Sequence, residues 1–287
     1  RKSWSILTDE MLDAGLGRDS CVVAMGGGVT TDLAGFVAAT YMRGVPVVQI
    51  PTSYLAMIDA SVGGKTGVDV RAGKNLVGAF HPPVAVVADV EVLDTLPRDE
   101  RAEGLVEAVK HGAILDESYL EAVQGAVPDL LAGDHGRAEE VVARSVALKA
   151  GVVAQDEFEG GHRQVLNFGH TLGHAVEAAA RYEIGHGTAV ALGMLGEAEI
   201  GEVLGVTAEG TRARLEAALG GLVSLASVAV DPAVALGFLG HDKKARDGRA
   251  RFVLLESIGR VAGGDGWSHE ADDEVVNRVL TRLLTRS

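Results

Sequence analysis

The chain has 287 residues, 47% of them hydrophobic, which is enough for one large domain or two ordinary ones and excludes disorder as a description of the whole. A formal net charge of −14 argues against a nucleic-acid partner, because binding a phosphate backbone needs a basic face. With the single cysteine Cys21 no intrachain disulfide can form, and no apolar run reaches the roughly 18 residues that span a bilayer. A reducing cytoplasmic home without a membrane partner is the expectation.

The first third alternates short β-branched runs with glycine turns and helical patterns, as parallel α/β units do. Strands are expected at Cys21 to Met25, Val45 to Ile50 and Val84 to Asp89, with Cys21 buried in the first. Between the first two, Gly26-Gly27-Gly28 leads into TTDLAGFVAAT, where Thr31 or Asp32 can cap a helix. Glycines before a helix N-terminus suit a pyrophosphate, since they permit close backbone approach beside free N–H groups. The run is not the G-x-G-x-x-G fingerprint, and a glycine turn by itself is more often only a turn.

The stretch DASVGGKTGVDVRAGKNLVGAFHPP reads as glycine-rich loop backbone carrying Asp59, Lys65, Lys74, Asn75 and His81. Loops position functional groups more often than helices do. Most lysines are solvated surface charges, but those at 65 and 74 are flanked by glycines that would admit a ligand.

From Pro97 the texture becomes alanine- and leucine-rich with charges at helical spacing, so a break between an α/β domain (1–96) and a helical domain (97–287) is expected. The Asp247-Gly248 pair before Phe252 to Leu255 marks a short hairpin or strand. No linker separates the two parts, and a cleft between them is the default ligand site.

Glu107 and Lys110 are three apart on one helical face; the bland reading is a surface ion pair. Four of the nine histidines, His162, His170, His174 and His186, fall within GGHRQVLNFGHTLGHAVEAAARYEIGHGTAV. A lone histidine on an apolar helix is usually a satisfied core residue. Several in one segment, with Arg163 and Asn167 beside them, point to a metal centre. His170 and His174 have the four-residue spacing that lets two imidazoles share Zn²⁺, so spacing selects His170, His174 and Glu107. The acid of H-E-x-x-H is missing, which excludes a zincin. Lys149, Lys243 and Lys244 could complete an anion pocket.

The runs GGGVTTDLAGFVAATYMRG, PTSYLAMIDASVGGKTGVDVRAGKNLVGAFHPP, GLVEAVKHG and EGGHRQVLNFGHTLGHAVEA, in that order, resemble the 3-dehydroquinate synthase family across roughly Lys2 to Gly259. The resemblance implies a Rossmann-like NAD-binding α/β domain, truncated at its start here, followed by a mainly helical metal- and substrate-binding domain. It implies Glu107, His170 and His186 as ligands of Zn²⁺ (Co²⁺ as an alternative), so that His174 becomes a substrate-contacting residue able to transfer protons. Lys65, Lys110, Arg163, Asn167 and His174 match catalytic positions. Arg43, Asp59, Lys74, Asn75, Lys149, Glu159 and one or both of Lys243 and Lys244 match substrate positions. Gly27, Gly28, Asp32, Thr52, Ser53 and Thr95 match NAD-contacting positions. The implied substrate is 3-deoxy-D-arabino-heptulosonate 7-phosphate, of the shikimate pathway, whose carboxylate and phosphate require fixed cations, and the implied assembly is a homodimer. Departures are GGGVTTD for the commoner GGGVIGD and HPP at 81–83; neither removes a charge. Sister sugar-phosphate cyclases, namely 2-deoxy-scyllo-inosose, 2-epi-5-epi-valiolone and amino-dehydroquinate synthases, are the nearest alternatives. A truncated, non-catalytic relative is the alternative of another class.

Overall fold

A computed structural model describes residues 1–70, 73–225, 228, 230–245, 250–264 and 266–285, the side chains of 240–245 excepted. The chain divides into two compact units, Arg1–Gly104 with Gly133–Val153, and Leu105–Ala132 with Ala154–Ser287. Each unit is discontinuous in sequence, whereas helical texture alone pointed to one break after residue 96.

In the first unit, helix α1 (Lys2–Asp13) precedes strand β1 (Val22–Gly26) and helix α2 (Gly28–Thr40), followed by β2 (Val47–Pro51), β3 (Lys65–Val70), β4 (Gly73–Phe80) and β5 (Ala85–Val86). A parallel sheet is built in the order β1-β2-β5, with Val22 opposite Val47 and Val48 opposite Ala85. Strand periodicity sends alternate side chains to opposite faces. On β2, Val47, Gln49 and Pro51 are the buried set. Ala24 and Val47 pack with Ala38, Tyr41 and Val45, which ties the sheet to α2 and the turn after it. The Tyr41 hydroxyl, which could not be buried unpaired without cost, donates to the Leu16 carbonyl at 2.6 Å.

Several local expectations are corrected here. Cys21 is exposed and precedes β1. The third strand is far shorter than Val84 to Asp89: β5 has two residues, and a 3-10 turn follows at Val90–Thr95. Helix α2 begins at Gly28 with Gly27 as its N-cap, so Thr31 lies inside the first turn, donating to the Gly28 carbonyl at 2.9 Å. The segment read as loop is largely an antiparallel hairpin, β3 against β4, with a register shift between Val68 and Val70. Glycine there serves close strand pairing: a Cβ on Gly78 would overlap the Thr66 carbonyl oxygen across the hairpin.

Helix α3 (Arg98–Leu115) begins in the first unit and runs into the second; α4 (Glu117–Ala132) follows, and most of α5 (His135–Gln155) returns to the first unit. The second unit continues with α6 (His170–Ala179), α7 (His186–Leu204), α8 (Thr211–Leu219), α9 (Pro232–Ala245), short strands β6 (Arg251–Phe252), β7 (Leu255–Ser257), β8 (Arg260–Val261) and β9 (His269–Glu270), and α10 (Asp273–Leu284). Strand β6 pairs with β9, and β7 with β8. The Phe252 to Leu255 run therefore supplies parts of two small sheets, while Asp247 and Gly248 lie outside the described residues.

Helix α7 is buried almost all round, from Ala189 to Gly201, and packs against α6, α8 and α10. A helix apolar on every side belongs in a core. By contrast α10 buries one stripe, Val276, Val279, Leu280, Leu283 and Leu284, each such side chain contributing about 1.5–3 kcal/mol. No helix among the described residues is long and apolar enough to cross a membrane.

Candidate active site

The second unit brings together three side chains of types that can ligate a metal. Glu107 projects from the middle of α3 and is 0% exposed, while His170 and His186 are the first residues of α6 and α7. The His170 and His186 Nε2 atoms lie 3.7 and 3.5 Å from Glu107 Oε1, and the three donor atoms fall within 4.8 Å of one another. Neither imidazole is close enough for a normal hydrogen bond to the carboxylate, and Glu107 Oε1 is buried without a hydrogen-bond partner, Oε2 being the oxygen that meets Lys110. Two imidazole nitrogens and a carboxylate oxygen facing a common point form a donor set suited to a divalent transition metal.

Supporting contacts orient the rings. The Phe168 carbonyl oxygen lies 3.2 Å from His170 Nδ1; when Nδ1 carries the proton, Nε2 turns an unprotonated lone pair toward Glu107. The buried Glu177 carboxylate lies 4.0 Å from His186 Nδ1. Lys110 forms a buried ion pair with Glu107, not the surface pair that spacing alone would give.

Electrostatics separate the three groups. Burial opposes ionisation of Glu107, but Lys110 and the two histidines outweigh it and hold the carboxyl well below the usual carboxylate range. Burial, with the nearby Lys110 charge, pushes His170 down to about 3. His186 suffers the same desolvation, but Glu107 and Glu177 overcome it and raise the ring to about 9.

His174, four residues after His170, is exposed, and its ring lies edge-on to that of His170 with centroids 5.2 Å apart. Its donor atom belongs to a second convergent group, with Glu177 and His186. Nearby, Arg163 is fully buried and donates to the Glu157 carbonyl. Its backbone N–H and those of Gly160 and Gly161 donate to the Asp156 carboxylate at 2.7 to 2.9 Å. Asn167 donates to Glu159 at 3.0 Å, Glu159 itself having a positive φ of 59°.

The first unit holds polar groups of its own. Lys149 on α5 is 7% exposed and reaches the Asp59 carboxylate and carbonyl oxygens at 2.5 and 2.6 Å. Asn75 sits at φ 50°, its side chain donating to Asp32 at 3.3 Å and its backbone N–H to Asp69 at 3.0 Å. Burial, eased by the Asn75 hydrogen bond, raises the Asp32 carboxyl to about 6. Lys65 opens β3, Lys74 lies on β4, and both are exposed, as is Arg43 at φ 68°.

At the start of α2, Gly27 is extended and provides no side-chain cap, and the following Val29 is 84% exposed. The first N–H groups of the helix thus have no side-chain cap, which leaves them available to an anion. Ser53 Oγ accepts from the Ala56 N–H at 3.3 Å, Thr52 is half-buried, and the exposed Thr95 donates to the Val92 carbonyl at 3.1 Å. Lys243 and Lys244 are on α9, outside the described side chains. Sequence reasoning missed Asp156 and Glu177, although a buried acid in the apolar run HAVEAAA is a readable signal for the second.

Residues 1–103 match the family model for 3-dehydroquinate synthase N-terminal, and residues 104–245 that for 3-dehydroquinate synthase C-terminal. The 3-dehydroquinate synthase of Symbiobacterium thermophilum is 51% identical over 254 residues, 86% of this chain and 70% of that protein. That of Geobacter sp. is 47% identical over 257 residues, covering 89% and 71%. Among solved structures, 2-deoxy-scyllo-inosose synthase complexed with carbaglucose-6-phosphate, NAD⁺ and Co²⁺ superposes with a TM-score of 0.91 at 27% identity, over 98% of this chain and 79% of the other. The 2-epi-5-epi-valiolone synthase of Streptomyces hygroscopicus with NAD⁺ and Zn²⁺ bound gives 0.88 at 29% identity, over 100% and 79%. With both family models in register along the chain and 51% identity to a curated relative over 254 residues, the chain belongs to the 3-dehydroquinate synthase family.

Proposed function

We propose that the chain performs its family's reaction, conversion of 3-deoxy-D-arabino-heptulosonate 7-phosphate to 3-dehydroquinate and phosphate in the shikimate pathway, as an NAD- and zinc-dependent phosphate-eliminating lyase. The observation that carries the metal part is the convergence of Glu107, His170 and His186 donor atoms within 4.8 Å around a buried carboxylate that Lys110 holds ionised. For NAD, support comes from the uncapped α2 N-terminus behind Gly27 and Gly28, together with the NAD⁺ complexes of the two sister cyclases. When bound, NAD supplies a hydride acceptor regenerated within each turnover, and the metal a Lewis acid at the hydroxyl undergoing oxidation.

The protein's own groups orient the substrate and balance its charge. Arg163 and the lysines at 65, 74, 110 and 149 pair with its carboxylate and phosphate, supplying locally the cations that the acidic chain lacks overall. Asn75, Asn167 and Asp59 hold hydroxyls. His174, exposed beside His170, takes the proton from the C5 oxygen as that carbon is oxidised. Fixed groups of this kind act by orientation and charge complementarity.

Zinc binding at the triad is expected to release about one proton near pH 7.5. His170, held down to about 3, is already neutral, while His186, raised to about 9, must lose its proton before Nε2 can ligate. Affinity therefore rises with pH between about 6 and 9 and levels off above that, by linkage. Calorimetry in buffers of different ionisation enthalpy measures the released proton; a pH-independent affinity would remove His186 from the ligand set.

Phosphate release tests the reaction itself. With NAD⁺ and Zn²⁺ present, the protein is expected to liberate phosphate from the heptulosonate phosphate and to leave sedoheptulose 7-phosphate intact. Release only from the latter would move the chain to a sister cyclase, and release from neither would overturn the catalytic reading.

A further inference from the structure

Further along α7, Glu197 is 0% exposed among the equally buried Met194, Leu195, Ala198 and Ile200. A carboxyl group there cannot stay without partners, and it has found them on the neighbouring helix. One oxygen accepts from the Gly169 N–H at 2.7 Å and the other from the Leu172 N–H at 3.2 Å, with the Thr171 N–H also directed at it.

These N–H groups open α6, and the four leading N–H groups of any helix lack intrahelical acceptors. Helix α6 makes no side-chain cap bond of its own: its N-cap is Gly169, at φ 80°. Glu197 thus does for α6 what an N-cap side chain ordinarily does from within the same chain segment. Its two oxygens grip the backbone on either side of His170, the first helical residue. That ring's Nε2 is the atom 3.7 Å from Glu107 Oε1. Burial raises the Glu197 carboxyl to about 8 against the pull of the three N–H groups; acceptor lone pairs persist in both protonation states, so the role is geometric.

We infer that Glu197 is a positioning residue for the metal centre: by holding the first turn of α6 it sets where His170 Nε2 meets Glu107 and His186. The inference rests on the metal reading of that triad. It is tested by comparing wild type, Glu197→Gln and Glu199→Gln for Zn²⁺ affinity by chelator competition, and for the visible spectrum of the Co²⁺-loaded protein. The control, Glu199, lies on the same helix and pairs with Arg212 and Arg282 at 3.0 and 3.2 Å, away from α6.

Glu197→Gln keeps the side chain's shape but replaces one acceptor oxygen with a donor, so Zn²⁺ affinity is expected to fall about 10–100-fold, as for other groups that orient a ligand. The Co²⁺ absorption bands should shift with it. Glu199→Gln is expected to lower the unfolding temperature while keeping wild-type affinity and spectrum. Wild-type affinity and spectrum in Glu197→Gln would overturn the inference, and so would an equal loss in Glu199→Gln, which would signal general loosening. Should Glu197→Gln fail to fold, Glu197→Asp, with a carboxylate on a shorter arm, is read by the same two criteria. Failure of the wild type to bind Zn²⁺ would overturn the triad reading itself and this inference with it.

Discussion

His186→Ala is expected to weaken Zn²⁺ binding by more than about 100-fold, beyond the loss typical of a group that only orients a ligand, whereas His174→Ala should stay within about tenfold. The imidazole of His186 presents Nε2 to the buried Glu107 carboxylate and Nδ1 to Glu177. Removing it takes away one of three protein donors and leaves Glu107 with one imidazole and the Lys110 charge. His174 is exposed, and its donor atom converges with Glu177 and His186 instead of with Glu107. Its loss should therefore appear in turnover, at unchanged metal content. Metal content after dialysis and chelator competition measure both variants. Loss in His174→Ala with affinity kept in His186→Ala would favour the ligand set His170, His174 and Glu107 that helical spacing selects.

Gly193→Ala is expected to destabilise the protein by about 1–3 kcal/mol, the usual range for overpacking a core, and to impair zinc binding as well. In an ordinary helix interior alanine is better than glycine by roughly 1 kcal/mol, so the predicted sign is opposite to propensity. The reason is the crossing of α6 and α7. A Cβ on Gly193 would overlap the Gly169 carbonyl oxygen and sit 2.7 Å from the Gly173 backbone nitrogen. Gly169 is equally constrained, by its φ of 80° and by Met194, whose backbone nitrogen would be 2.9 Å from a Cβ. Backbone cannot yield as a flexible side chain can, so the helices must part, and His170 moves relative to His186. Gly125→Ala on α4, where a Cβ meets nothing within 4 Å, is the matched control and should stabilise by about 0.4–1 kcal/mol. Chemical denaturation measures both; a Gly193→Ala protein as stable as Gly125→Ala would show that the two helices do not need this close approach.

Much of the local architecture was legible in the residue order. The strand, glycine turn and helix between Val22 and Thr40, and the change to helical texture after Pro97, follow from periods of two and 3.6 residues, which are properties of neighbours in the chain. Glycine was the main source of error. Between Lys65 and Phe80 it reads as a loop former, yet Gly67 pairs with Gly78 across a hairpin, and close strand contact is a property of the partner strand. Cys21 failed for a related reason, since hydrophobic character says that a residue can be buried but not where a strand starts.

The candidate site shows the same division. Clustered histidines and the Glu107 to Lys110 spacing marked the chemistry, because residue type alone decides what can bind a metal or an anion. Spacing within one helix could offer only His174 as the partner of His170. His186 opens a different helix and entered the reading through family resemblance. What brings its Nε2 to within 3.5 Å of Glu107 is the glycine-lined crossing of α6 and α7. Lys149 meets Asp59 across 90 residues of sequence, and Glu197 caps a helix to which it does not belong. The sequence by itself determined which groups the protein has and which short segments carry them. Which groups meet was decided by tertiary structure, because contacts between elements depend on packing distances that no local periodicity encodes.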